Sequence, residues 1–175
     1  MRWVAFLRAV NVGGRTVKMA AVKSALAKAG LDEVETFLAS GNVLFESGKR
    51  EPALRTLIEA TLAKSLGFEV PTVVRPAEEL VELASSKAIA EAKRRAPTLV
   101  VGFLHEPLGK SAMKQLTALE TDVDRFAHAG RHLLWLCSVK QSESKLTLTK
   151  VEKAIGGVAT FRGANTVERL AAKCC

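Results

Sequence analysis

The stretch WVAFLRAVNVGGR, residues 3–15, runs from an apolar strand directly into two adjacent glycines. Both alternating faces of this strand are apolar, which predicts a strand that is covered on both sides of a sheet. A helical pattern of apolar residues begins soon after the glycines, near Lys18. A strand that ends in glycines before a helix leaves backbone N–H groups that can face a ligand. The stretch therefore predicts both the start of the fold and the place of a binding site.

The first 76 residues show four strand patterns and two helical patterns. The dipeptide Gly41-Asn42, between the second and third strands, is a signal for a two-residue hairpin turn. The order strand, helix, strand, strand, helix, strand is that of the ferredoxin-like βαββαβ arrangement. The predicted strands are Arg2–Val10, Glu33–Ala39, Val43–Glu46 and Val70–Arg75, and the predicted helices are Lys18–Gly30 and Glu51–Leu66.

The same order of elements recurs in the second half of the chain. Residues 77–97 are predicted to form a connecting helical segment with a break at Ser85-Ser86. Beyond it, strands are predicted at Thr98–Leu104, Asp124–His128, His132–Cys137 and Val158–Phe161, and helices at Ser111–Leu119, Lys145–Ile155 and Asn165–Ala172. The prediction is an α+β protein made of two ferredoxin-like (βαββαβ) halves with antiparallel sheets, residues 1–76 and 98–175.

The predicted strand order brings two polar turns of the first half together. In the order 4-1-3-2, the end of strand one and the turn between strands two and three lie at the same end of the sheet. Basic side chains there would neutralise an anion, and the Asn and Ser side chains would orient it. The predicted ligand-binding residues are Arg8, Asn11, Gly13, Gly14, Arg15, Lys18, Ser40, Gly41 and Asn42, approached by Arg162 and Asn165 from the second half.

The same residues also fit structural roles. Two adjacent glycines permit a tight turn, and a serine–glycine–asparagine turn needs no ligand to explain it. Arg8 fits an internal ion pair as well as a ligand contact, because a buried arginine must be paired. Asn165 fits the N-cap of the last helix. The glycine loop has neither the Gly-Lys-Ser/Thr ending of a phosphate-binding P-loop nor the three-glycine spacing of a dinucleotide site.

Composition narrows the class of protein. Of the 175 residues, 48% are apolar and 25% are charged, which suits a folded domain with a substantial core. The formal net charge of +8 favours anionic partners. No apolar run approaches the ~20 residues that span a membrane. Three cysteines in no recognisable pattern predict neither disulfides nor a metal site, and we expect a cytoplasmic protein without a cofactor.

The sequence is compatible with three functions. The first is binding of a small anionic ligand, a nucleotide or a phosphorylated metabolite, at the polar loop end of the first half. No carboxylate near the loops is an obvious general base, so catalytic residues are unknown and enzyme and binding protein are equally open. The second is a nucleic-acid-binding module, whose binding would be weak, electrostatic and sensitive to salt because no aromatic platform is predicted. The third is a protein-interaction or regulatory module of unknown oligomeric state.

Three groups of residues form a recognisable pattern along the chain. They are Leu7, Arg8, Asn11, Val12, Gly13, Gly14 and Met19 in the first group, Thr36, Ser40, Gly41, Asn42 and Phe45 in the second, and Lys145, Leu146, Glu152, Lys153, Gly156, Thr160, Arg162, Asn165, Thr166, Val167 and Leu170 in the third. In these residues the sequence resembles an uncharacterised bacterial family, domain-of-unknown-function family 1697. An asparagine–tryptophan pair that is usual in the family is replaced here by Gly163-Ala164, and its usual tyrosine is replaced by Phe37. The resemblance implies an α+β fold of paired βαββαβ units and no established activity.

Overall fold

A computed structural model describes all residues from Met1 to Cys175. The chain divides into two compact units, Met1–Leu80 and Val81–Lys173, with the boundary inside the predicted connecting segment. No helix combines the length and the apolar character that crossing a lipid bilayer requires.

The first unit is a four-stranded antiparallel sheet with two helices. Its strands stand in the order β2-β3-β1-β4, which confirms the predicted order 4-1-3-2. The elements are β1 (Arg2–Leu7), α1 (Met19–Lys28), β2 (Asp32–Phe37), β3 (Asn42–Glu46), α2 (Glu51–Leu66) and β4 (Thr72–Pro76).

The strand β1, which lies between β3 and β4, is buried on both faces. Trp3, Ala5 and Leu7 on one face join the core that the apolar sides of α1 and α2 complete. Val4 and Phe6 on the other face have no exposed surface. The predicted covering of both faces is therefore confirmed, and the sheet has no open aromatic platform at this strand.

Several elements begin or end up to three residues from their predicted bounds, and two of these differences shape the predicted site. The strand β1 ends at Leu7 rather than Val10, because Ala9 turns the chain with a φ of 56° and leaves the extended conformation. The hairpin between β2 and β3 is a four-residue turn, residues 38–41, instead of the two-residue Gly41-Asn42 turn. Leu38 and Gly41 take positive φ values of 61° and 89° there, and Asn42 is the first residue of β3.

The second unit repeats this architecture after a two-helix connection. Its strands stand in the antiparallel order β6-β7-β5-β8, around a core that contains Trp135. The connection ends in α4, whose N-cap Ser86 accepts a hydrogen bond from the Ile89 N–H. The elements are α3 (Ala77–Ala84), α4 (Lys87–Arg95), β5 (Thr98–Leu104), α5 (Lys110–Ala118), β6 (Asp124–Ala129), β7 (His132–Cys137), a short 3-10 helix (Gln141–Glu143), α6 (Leu148–Ile155), β8 (Ala159–Gly163) and α7 (Ala164–Cys174).

The registers of the β1–β4 and β5–β8 pairs match, so these strands of the two sheets correspond. Val4 of β1 pairs with Arg75 of β4, and Val101 of β5 pairs with Arg162 of β8. Each arginine is followed two residues later by the alanine that begins the next helix, α3 or α7. The predicted pair of ferredoxin-like halves is confirmed, and the registers supply a residue correspondence that the sequence had not revealed.

Candidate functional site

The loop after β1 and the turn before β3 meet at one end of the first sheet, as the strand order predicted. The Leu7 N–H donates to the Gly41 carbonyl oxygen at 2.8 Å. The Asn11 side-chain amide donates to the Ala39 carbonyl oxygen at 2.7 Å. These two bonds bind the loop to the turn, so the two segments form one continuous surface.

The asparagines predicted to orient a ligand serve the loops themselves. Besides its bond to the turn, the Asn11 side-chain oxygen accepts the Val17 N–H at 2.5 Å. Asn42 is fully buried, and its amide donates to the Phe37 carbonyl oxygen at 2.8 Å and to the Ser40 hydroxyl at 3.1 Å. Both amides therefore fix the shape of the surface from within. For Asn42 this is the structural role that the sequence had left open.

Gly41 is where the turn approaches β1 most closely. A Cβ built at Gly41 would lie 2.7 Å from Val10 Cγ2 and 3.0 Å from Leu7 Cβ, closer than real Cβ contacts. The φ of 89° is also one that residues with a side chain rarely adopt. Glycine is therefore required at this position by both space and backbone conformation.

We expect Gly41→Ala to lower the free energy of unfolding by about 2–4 kcal/mol, since strain in φ and overpacking add together. Gly14→Ala is the matched control, because Gly14 has a φ of 79° but nothing within 4 Å of an added Cβ. Gly14→Ala should lower the free energy of unfolding by only about 1 kcal/mol, because strain in φ is its one cost. Urea denaturation of both variants measures the difference, and equal losses would contradict the close approach.

Backbone donors are available where the loop leads into α1. Gly13 and Gly14 take consecutive positive φ values of 62° and 79°. Neither N–H donates to another group of the chain. The helix α1 starts after Lys18 with no side-chain cap and no acidic residue in its first turn. Unused N–H groups and an uncapped helix start give this segment a positive electrostatic character.

Three cations accompany these donors. Arg15 is exposed, and its guanidinium carbon lies 3.8 Å from the centroid of the Phe68 ring, a cation–π contact that orients the side chain. Lys18 is exposed at the helix start. Arg8 is half-buried, and its backbone N–H donates to the Pro71 carbonyl oxygen at 2.9 Å. The segment between β1 and α1 thus combines backbone donors with positive side chains.

Arg162 and Asn165 belong to the second unit. Arg162 is half-buried on β8 and donates to the Phe161 carbonyl oxygen at 2.8 Å. Burial lowers the pKa of Arg162 to about 10, so the guanidinium still carries its charge at neutral pH. Asn165 is exposed in the first turn of α7, and the N-cap of that helix is Gly163. The expected N-cap role of Asn165 is therefore wrong, and its part in the ligand site stays a prediction.

Arg75 is the centre of a buried ion cluster that was not predicted from the sequence. Arg75 Nη1 lies 3.3 Å from Glu51 Oε1, and Arg75 Nε lies 3.5 Å from Glu79 Oε1. Nη1 also donates to the Val74 carbonyl oxygen at 2.8 Å. The four-residue spacing from Arg75 to Glu79 was the one local signal, while Glu51 is 24 residues away in the chain.

A second buried polar cluster surrounds Asp124 on β6, and it too was not predicted from the sequence. Trp135 Nε1 donates to Asp124 Oδ1 at 2.8 Å, and the hydroxyls of Thr121 and Ser144 donate to Oδ2 at 2.7 and 2.8 Å. Burial also raises the pKa of the neighbouring Cys137 thiol, which stays protonated at neutral pH. No three His, Cys, Asp or Glu side chains of the chain are grouped so that they could hold a metal ion.

The fold and the two polar turns define a tandem ferredoxin-like protein with a basic loop surface. The chain belongs to the protein family of unknown function DUF1697, whose profile matches residues 1–134. The structure of the conserved bacterial protein SP0830 from Streptococcus pneumoniae is similar, with a TM-score of 0.80 and 24% identity over 99% of this chain and 97% of that one. This likeness supports the fold alone. No curated protein matches the chain.

Proposed function

We propose that the protein binds a small anionic ligand, such as a nucleotide or a phosphorylated metabolite, at the segment that links β1 to α1. The observation that carries the proposal is the pair of unused N–H groups at Gly13 and Gly14, directly before the uncapped start of α1. Consecutive N–H groups in a glycine turn form a concave donor site for phosphate oxygens. Arg15 and Lys18 supply the charge that an anionic ligand needs.

The hydrogen bonds of Asn11 and Asn42 support this proposal in an indirect way. They hold the loop and the turn in one arrangement before any ligand arrives, so little ordering entropy is lost on binding. Ser40 is exposed on the turn and remains the polar side chain best able to reach a ligand from that side. We propose a cytoplasmic location as well, which the absence of a disulfide among the three cysteines favours.

A nucleic-acid interface on the sheet has less support. Single-stranded RNA binds such sheets by stacking bases on exposed aromatic side chains of the central strands. Phe6 of β1 and Phe45 of β3 have no exposed surface. Contact with nucleic acid would therefore rely on phosphates and basic side chains, and it should weaken steeply as salt rises.

We expect anions to raise the melting temperature of the wild-type protein in a thermal-shift screen with inorganic phosphate, sugar phosphates and nucleotides. Lys18→Ala and Arg15→Ala should each weaken binding of the best ligand about tenfold, because a charge-assisted contact is lost. Lys23→Ala removes the same charge from an exposed position further along α1 and should leave the affinity unchanged. Failure of every anion to stabilise the wild type would end the proposal.

A further inference from the structure

A second feature that suits a ligand lies wholly within the second unit. A cavity of about 380 Å³ opens between the end of α4, the start of β5, the short 3-10 helix and the start of α7. This volume lies within the ~300–1,000 Å³ range of small-molecule sites. Of the ligand-binding residues predicted from the sequence, only Asn165 lines this cavity.

The wall of the cavity combines apolar surface with unused polar groups. Pro97 and Leu99 contribute apolar surface. Thr98, Gln141 and Asn165 contribute a hydroxyl and two amides, and none of these side chains makes a hydrogen bond within the chain. Small-molecule sites have this character, a largely apolar wall with a few polar groups that fix orientation.

The one charged residue that lines the cavity is Lys93, and no lining residue is acidic. The Lys93 ammonium is 2.6 Å from Glu168 Oε1, a bond that uses one of its three donors. Arg94 and Arg95 follow in the same helical turn, and both are exposed. An anionic group in the cavity would therefore meet the ammonium of Lys93 and would compete with Glu168 for it.

We propose that this cavity binds a nucleoside monophosphate. Its phosphate would accept hydrogen bonds from Lys93. Its base would lie against the apolar wall, where the amides of Gln141 and Asn165 can bond to the donors and acceptors of the base edge. The assignment rests on the cavity, its unused polar side chains and its lack of acidic residues, and it is independent of the loop site in the first unit.

Titration of the full-length, 15N-labelled protein with adenosine 5′-monophosphate tests the proposal by NMR. We expect amide resonances of residues 93–99, 141 and 163–165 to shift, with weaker effects from adenosine and from inorganic phosphate. Lys93→Ala should weaken binding of adenosine 5′-monophosphate about tenfold, the loss of one charge-assisted contact. Lys87→Ala is the matched control, since it removes an exposed lysine from the first turn of the same helix, outside the cavity.

Glu168→Gln tests whether Lys93 acts through the ligand or through its ion pair with Glu168. It frees Lys93 without altering the cavity wall, so the variant should bind at least as tightly as the wild type. A loss as large as that of Lys93→Ala would show that the ion pair alone matters and would overturn the proposal. The absence of shifts around the cavity, or equal losses in Lys87→Ala and Lys93→Ala, would overturn it too. Shifts confined to residues 11–18 would support the loop site and exclude this one.

Discussion

Replacing Arg75 with alanine is expected to lower the free energy of unfolding by about 3–5 kcal/mol, the cost of breaking a buried ion cluster from one side. The Arg75 side chain is 1% exposed, whereas those of Glu51 and Glu79 are 26% and 27% exposed. The substitution would remove the cation that these two partly buried carboxylates share. It would also remove the donor to the Val74 carbonyl oxygen and leave a cavity beside β4.

Chemical denaturation at neutral pH measures this effect against two comparisons. Arg75→Met keeps most of the side-chain volume, so its loss should be smaller than that of alanine by the cavity contribution. Lys93→Ala breaks an exposed ion pair, whose side chains are 41% and 38% exposed, and should cost less than about 1 kcal/mol. If Arg75→Ala cost no more than Lys93→Ala, the buried cluster would not be a source of stability.

The second large effect is expected at Asp124. Asp124→Ala should cost about 3–5 kcal/mol, because a fully buried acceptor is removed and the Trp135 N–H loses its partner in the core. The Ser144 hydroxyl, which also accepts the Leu146 N–H at 3.1 Å, would lose its attachment to the sheet. The segment that leads into α6 should therefore loosen along with the core, and hydrogen exchange of its amides should accelerate.

Asp124 should also make stability depend on pH. Burial alone would raise the pKa of this carboxyl, but hydrogen bonds from Thr121, Trp135, Ser144 and Cys137 outweigh it and hold the pKa below its ordinary value of 3.8. Because the folded-state pKa is depressed, the Asp124 carboxylate contributes its full stabilisation of the fold above the unfolded-state pKa. This stabilisation is lost as the pH falls through the folded-state pKa, which here lies below about 4.

Urea unfolding of the wild type and of Asp124→Asn between pH 7 and pH 2 measures this contribution. The variant should be less stable at pH 7 and should lose less stability on acidification, because it has no proton to take up at this position. Asp122→Asn is the control, since Asp122 is an exposed carboxylate two residues away. Parallel pH curves for wild type and Asp124→Asn would refute the role of the buried carboxylate.

The fold was predictable because most elements carry a clear apolar period. The helix α2 and the strand β5 begin and end at the predicted residues. The end of β1 was not predictable, because the positive φ of Ala9 comes from the way the loop joins a distant turn. Local patterns carry no information on such contacts between segments far apart in the chain.

The candidate site was predictable in its location but not in its internal bonds. Strand order alone brings the loop and the turn together. Which amide is used within the protein depends on loop paths, so the bonds of Asn11 to Ala39 and Val17 could not be foreseen. The partners of buried charges could not be predicted from the sequence either, because they are far apart in the chain. Asp124 and Ser144, for example, are 20 residues apart.

The matched registers of the two sheets have an evolutionary consequence. Equivalent arginines at Arg75 and Arg162, each two residues before a helix, are what duplication and fusion of one ancestral βαββαβ gene would leave. The copies have since diverged, because Thr166 now stands where Glu79 stands in the first unit. A doubled gene can give equivalent residues different roles in its two copies: Arg75 holds an ion cluster together, whereas Arg162 donates to the Phe161 carbonyl oxygen.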